Sequence, residues 1–242
     1  MDLFASATTT EDAAPAAATP ADHPAGRGRA AAADLGPVRP TRLQRLGGAA
    51  LIAAPLLFTG GMLTSPPQTS PGGEGYIESL ANDPALSLWS ANLLHYGWVA
   101  LALGAFATLG LLRGPRGRVF LPIAAAILAF GAIQMSGLLL SDWFIISAGN
   151  TLTMEQAMLL DETAKEGTVA IWQYSGIVGG LLGIGLLSLA LARAKAISWW
   201  IALLGFLPWI VTGFGLGPIG IALGLVCYLP ILVAGVRLVA AR

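Results

Sequence analysis

The sequence predicts an all-α protein: a polytopic membrane helix bundle with six transmembrane helices, both termini cytoplasmic and a disordered N-terminal tail. Three observations predict it. Hydrophobic residues make up 55% of the 242 residues, charged residues make up only 11%, and the charges are clustered between long uncharged runs. Because a soluble domain carries about 25% charged residues, this chain could not cover a water-facing surface. Its pattern is typical of proteins with several membrane spans.

Residues 1–40 form the predicted tail, a first domain ahead of the transmembrane domain at 41–242. The tail is rich in Ala, Pro, Thr and Asp and has very few large apolar residues. Such a segment buries too little surface to offset the entropy lost on ordering, so we expect it to be disordered and cytoplasmic. The first apolar run begins near residue 46, which is too late for a cleaved signal peptide.

Six apolar segments follow, each close to the roughly 20 residues that cross about 30 Å of hydrocarbon. Helices are expected because the backbone in lipid must satisfy its own hydrogen bonds. The last two spans share one uncharged run, which the Gly- and Pro-containing stretch 213–218 divides. The predicted spans are 46–63, 91–112, 119–140, 169–192, 197–214 and 218–239.

The basic residues predict the orientation of these spans. With six spans, every Lys and Arg except Lys165 falls on the same side as the termini. Short loops rich in Lys and Arg stay in the cytoplasm, so both termini are predicted to be cytoplasmic. The abundance of Ala, Gly, Leu and Arg with little Lys is typical of a bacterium with a GC-rich genome. We therefore expect a multi-pass protein of the bacterial cytoplasmic membrane.

Polar side chains collect near the outer ends of spans two, three and four. Buried polar groups in a membrane bundle face a partner or a water-filled cavity, so these side chains are candidates for an outer-leaflet polar pocket. The alternative is an interfacial belt, because Tyr and Trp collect where the bilayer meets water. The candidate residues are His95, Tyr96, Gln134, Asp142, Gln173 and Tyr174.

Small residues at four-residue spacing occur in spans four and six. This spacing lets helices approach closely, either inside the bundle or at an oligomer interface. The residues are Ser175, Gly176, Gly179, Gly180, Gly183, Gly220 and Gly224. Pro55, Pro208 and Pro230 are expected to kink their helices, since proline removes a backbone donor.

Two further patterns concern the outer side. In the segment 153–167, Thr153 followed by Gln156 predicts a short helix that begins with a capping box. In addition, a shift of 78 positions overlays span two on span four and aligns Tyr96 with Tyr174 and His95 with Gln173. An internal repeat and two unrelated hairpins both fit this alignment.

The sequence contains no nucleotide-binding, hydrolase or zinc-protease motif. No catalytic residue, metal ligand or cofactor is therefore predicted, and no nucleic-acid partner. The expected function is a non-enzymatic one, as a structural or accessory subunit or as a small transport or sensing component. Its expected partners are the lipid bilayer and either a second copy or another membrane protein. The alternative is a membrane enzyme or haem protein with an outer-face site around His95.

Overall fold

The computed structural model describes residues 40–68, 70–208, 211 and 217–240. The predicted disordered tail lies outside the described residues except for its last residue, and so does part of the predicted fifth span. The described chain is helical and contains no strand, which confirms the all-α class.

Ten α-helices follow one another in the described chain, and a 3₁₀ turn, Thr108–Leu111, extends the third of them. They are α1 (Arg42–Thr64), α2 (Gly72–Asn82), α3 (Pro84–Ala107), α4 (Phe120–Leu138), α5 (Leu140–Thr151), α6 (Met154–Ala164), α7 (Thr168–Arg193), α8 (Trp199–Leu204), α9 (Gly217–Cys227) and α10 (Leu229–Ala240).

Within the described residues, four helical segments are long and apolar enough to cross a membrane. They are α1, α3 with its 3₁₀ extension, α4 together with α5, and α7; the bent pair α9 and α10 makes a fifth if it is counted as one span. Several apolar helices of this length are typical of a membrane-embedded protein. The predicted fifth span at 197–214 corresponds to the six-residue helix α8 and to residues that are only partly described.

The third helix begins earlier than the sequence predicts. Its span is predicted to start at residue 91, but α3 starts at Pro84 because the Asp83 side chain accepts a hydrogen bond from the Leu86 N–H. Proline is favoured in the first helical turn, where its missing N–H has no partner to lose. The preceding residues, expected to be an outer loop, contain the additional helix α2.

Glycines set the closest helix contacts. A Cβ on Gly131 of α4 would overlap the backbone of Gly179 in α7, and a Cβ on Gly183 would lie 2.7 Å from the Leu128 Cα. Gly176 of α7 faces Gln134. Gly176, Gly179 and Gly183 of α7 thus lie at the α4–α7 contact within the chain. Gly224 of α9 has open space around it.

The bend between α9 and α10 confirms the kink expected at Pro230. The two helices meet at 47°, and the carbonyl of Tyr228 accepts hydrogen bonds from the N–H groups of Ile231 and Leu232. Proline supplies no N–H to the preceding turn and its ring crowds the carbonyl four residues earlier. Pro55, in contrast, lies buried inside the single helix α1.

Three shorter helices, α2, α5 and α6, form a small domain that we call the cap. The continuous segment of α4 and α5 has 32 residues, so it is about 48 Å long and exceeds the hydrocarbon thickness. The excess carries α5 into the cap, where Ile77, Ile145 and Ile146 are buried together. The capping box predicted at Thr153 and Gln156 is present at the start of α6.

Substitution of Gly131 by Ala tests the α4–α7 contact. We expect Gly131→Ala to lower the free energy of unfolding in detergent by about 1–3 kcal/mol, because the new methyl group must push two backbones apart. Gly224→Ala is the matched control and should cost nothing, since its Cβ meets open space and alanine favours helices. Equal stability of the two variants would contradict the contact.

Candidate functional site

His95 forms the polar link between α3 and α4. Its Nδ1 lies 3.0 Å from the Ser136 carbonyl oxygen and 3.0 Å from the Ser136 Oγ. In the tautomer with the proton on Nδ1, this atom donates to the carbonyl oxygen and Nε2 holds the free lone pair. In the other tautomer, Nδ1 accepts from the Ser136 hydroxyl. The half-buried ring also packs edge-on against Tyr96, with centroids 5.0 Å apart.

Asp142 belongs to a different polar pair, inside the cap. The Tyr76 hydroxyl of α2 donates a hydrogen bond of 2.6 Å to the Asp142 carboxylate of α5. Burial raises the pKa of Tyr76 above its usual value, and the neighbouring charges of Asp142 and Asp161 raise it further. The phenol therefore stays protonated and remains a donor to the carboxylate, which a short charge-assisted bond stabilises.

The third helix of the cap adds an ion pair beside this bond. Lys165 lies 2.5 Å from Asp161, one helical turn earlier in the chain. The Asp161 side chain is only 12% exposed, and the Lys165 ammonium also attracts the Asp142 carboxylate. One lysine therefore offsets two carboxylates from different helices. Lys165, which the sequence predicts to lie among acidic loops, is thus the counterion of these two carboxylates.

The six residues predicted for the outer pocket occupy several environments. The hydroxyl-bearing rings of Tyr96 and Tyr174 are 57% and 67% exposed. Gln134 lies at the α4–α7 contact, His95 is bonded to Ser136, and Asp142 is bonded within the cap. Gln173 is half-buried in α7. In the described structure, His95 and Asp142 each bond to a residue outside the predicted set. A single pocket shared by all six residues stays a prediction.

Sequence reasoning did not identify Tyr76 or Ser136. Tyr76 lies in a segment interpreted as a loop, and the signal that could have found it is the helical spacing of Tyr76, Leu80 and Asp83 before the next span. Ser136 is a small hydroxyl in an apolar run, and such residues usually bond within their own helix. Its position two residues after Gln134 gave no sign that it faces α3.

A groove of about 490 Å³ lies beside the exposed Tyr96. Its lining residues, which include Trp89 and Asn92, all belong to α3. A groove formed by one helix is shallow and offers few convergent polar groups, whereas binding pockets usually combine several elements. Among the described residues, no group of three or more His, Cys, Asp or Glu side chains could hold a metal ion.

Comparison with protein-family models, with curated proteins and with solved structures found no match.

Removal of one hydroxyl group tests the link between α2 and α5. We expect Tyr76→Phe to destabilise the protein in detergent by about 1–3 kcal/mol, since a partly buried carboxylate loses its donor. Tyr174→Phe removes the same group from an exposed ring and should leave stability nearly unchanged. Tryptophan fluorescence during thermal unfolding can compare the two. If Tyr76→Phe is as stable as Tyr174→Phe, the bond does not hold the cap in place.

Proposed function

We propose that the chain is a multi-pass protein of the bacterial cytoplasmic membrane, with six spans and both termini in the cytoplasm. The order of the helices supports this orientation. The start of α1, the turn after α3 and the end of α7 carry Arg42, Arg113 and Arg193, and they lie at the end of the bundle away from the cap. Cations in short loops favour the cytoplasmic side, which leaves the cap on the outside.

A matched pair of glycine-to-cysteine variants tests this orientation. Gly73 in the cap and Gly114 in the basic turn are both exposed with open space around them, so either accepts a new side chain. Cys227 is buried and should give little background. In intact cells, a membrane-impermeant maleimide should label Gly73→Cys and leave Gly114→Cys unlabelled until the cells are lysed. The reverse pattern would invert the proposed topology.

The same proposal assigns the protein a non-enzymatic role, as a structural or accessory subunit or a small transport or sensing component. The observation that carries it is that two partly buried polar side chains bond to groups of neighbouring helices. His95 joins α3 to α4, and Tyr76 joins α2 to α5, so these groups stabilise the bundle and its cap. The cap exposes Leu159 and Leu160 on α6, in keeping with contact to lipid, to a second copy or to another membrane protein.

A second candidate function has one observation in its favour. In the tautomer in which Nδ1 of His95 donates to the Ser136 carbonyl, the free lone pair of the ring is at Nε2. Histidine ligands of metals commonly donate the other ring N–H to a backbone carbonyl in this way. A membrane enzyme or haem protein would use Nε2 as a general base or as an iron ligand near the outer surface.

Purification from the native membrane separates the two candidates. For an accessory subunit we expect a stable membrane partner or a defined oligomer to co-purify in mild detergent, with no Soret absorption band. His95→Ala should then lower stability by about 1–3 kcal/mol, since the Ser136 groups lose their partner, whereas Tyr96→Ala should cost much less. A Soret band that His95→Ala abolishes and Tyr96→Ala preserves would replace the first candidate with the second.

A further inference from the structure

A concave cleft lies at the end of the bundle opposite the cap. Its volume is about 520 Å³, within the roughly 300–1,000 Å³ that is usual for small-molecule sites. Three separate stretches of the chain supply its four cationic side chains. These are Arg113, Arg116, Lys195 and Arg237.

The fold brings these stretches together by specific contacts. The turn after α3 contains Gly117, whose φ is +84°. A Cβ built on this glycine would lie 3.1 Å from the Ala194 Cβ at the end of α7. The turn that carries Arg113 and Arg116 therefore lies against the helix end that carries Lys195. Arg237 reaches the same place from the last turn of α10. Positive-inside topology requires cations on this side, but it does not require that they share one cleft.

The charges of the cleft are not balanced within the described part of the chain. None of the described residues that line it is acidic, and the ion pair recorded in that part of the chain is Lys165 with Asp161, in the cap. Like charges gathered at one surface repel each other over a screening distance of about 8 Å at physiological salt. An anion in the cleft would remove this repulsion and accept hydrogen bonds from the guanidinium groups, which suit phosphate oxygens.

The backbone of Lys195, which lines the cleft, has a strained conformation. Its φ is +60°, a region in which residues other than glycine are strained. The hydrogen bonds Lys195 N–H to Ala192 O and Ala196 N–H to Leu191 O, both below 3.0 Å, form the Schellman motif that ends α7. Glycine is the usual residue at this position of the motif. Glycine would end the helix here without strain, whereas lysine adds an ammonium group that lies in the cleft, beside the negative end of the α7 dipole.

We infer that this cleft binds the phosphate headgroup of an anionic membrane lipid. The cleft lies at the ends of the membrane helices, the level of lipid headgroups, and basic pockets there are suited to such lipids. Leu111 and Ala196 form the buried floor of the cleft, so the exposed groups available to a ligand are mainly the cationic ones. The inference goes beyond the function proposed above and concerns the opposite end of the molecule.

Lipid binding by the purified full-length protein tests this inference. We expect phosphatidylglycerol to bind and to raise the melting temperature in detergent, and phosphatidylcholine to do so far less. Arg113→Gln and Arg237→Gln should each weaken phosphatidylglycerol binding about fivefold, the effect of one cation near an anionic headgroup. Arg193→Gln is the matched control: it removes one charge beside the cleft, and Arg193 is not among the lining residues. Equal weakening by Arg193→Gln would overturn the site.

Two further measurements separate loss of binding from loss of folding, and a lipid ligand from a soluble phosphate. Lys195→Gly should weaken phosphatidylglycerol binding without lowering the melting temperature of the lipid-free protein, because glycine relieves the strained φ. Unchanged binding by Lys195→Gly would contradict the inference. Glycerol phosphate and inorganic phosphate should bind much more weakly than the lipid; equal binding would overturn the lipid assignment in favour of a soluble phosphate ligand. All arms use detergent-solubilised protein, so an error in the proposed orientation or function would not change their outcome.

Discussion

The close approach of helix backbones is the constraint on which the rest of the structure depends. In lipid there is no hydrophobic force to drive helices together, so association relies on close packing and on polar links. Here glycines let α4 meet α7 at Gly131 and Gly179 and let α1 meet α3, where a Cβ on Gly104 would strike Leu51. Once these backbones touch, the polar groups near their ends are close enough to bond. The His95–Ser136 link between α3 and α4 follows from this arrangement.

The two ends of the molecule use charge in opposite ways. In the cap, Lys165 and the Tyr76 hydroxyl neutralise and bind carboxylates inside the chain, so the charges there stabilise the fold. At the other end, the cations of the cleft have no acidic partner among the described lining residues. The phosphate ligand inferred above would supply the missing negative charge in the cleft.

Hydrophobicity and charge were sufficient to predict the helical class, the long apolar helices and the capped helix at Thr153, because each depends on local composition. They could not predict which residues of different helices contact each other. The four-residue spacing in α7 predicts helix packing without naming the partner helix, and only the fold shows that Gly176 meets Gln134. Asp142 was recognised as a polar residue at a helix end, whereas its partner lies 66 residues away in a helix that was interpreted as a loop. The 78-residue alignment pairs Tyr96 with Tyr174, and both are exposed, but exposure alone does not distinguish a repeat from two similar interfaces.

The α4–α7 contact lies closer to one end of the segment formed by α4 and α5. From Gly131 to the end of α5 is 20 residues, or about 30 Å, whereas from Gly131 to the start of α4 is only 11 residues, or about 17 Å. The longer part extends towards the cap and includes the turn at Leu139 between the two helices. The contact at Gly131 is therefore too distant to fix the position of α5, which depends on contacts within the cap such as the bond from Tyr76 to Asp142.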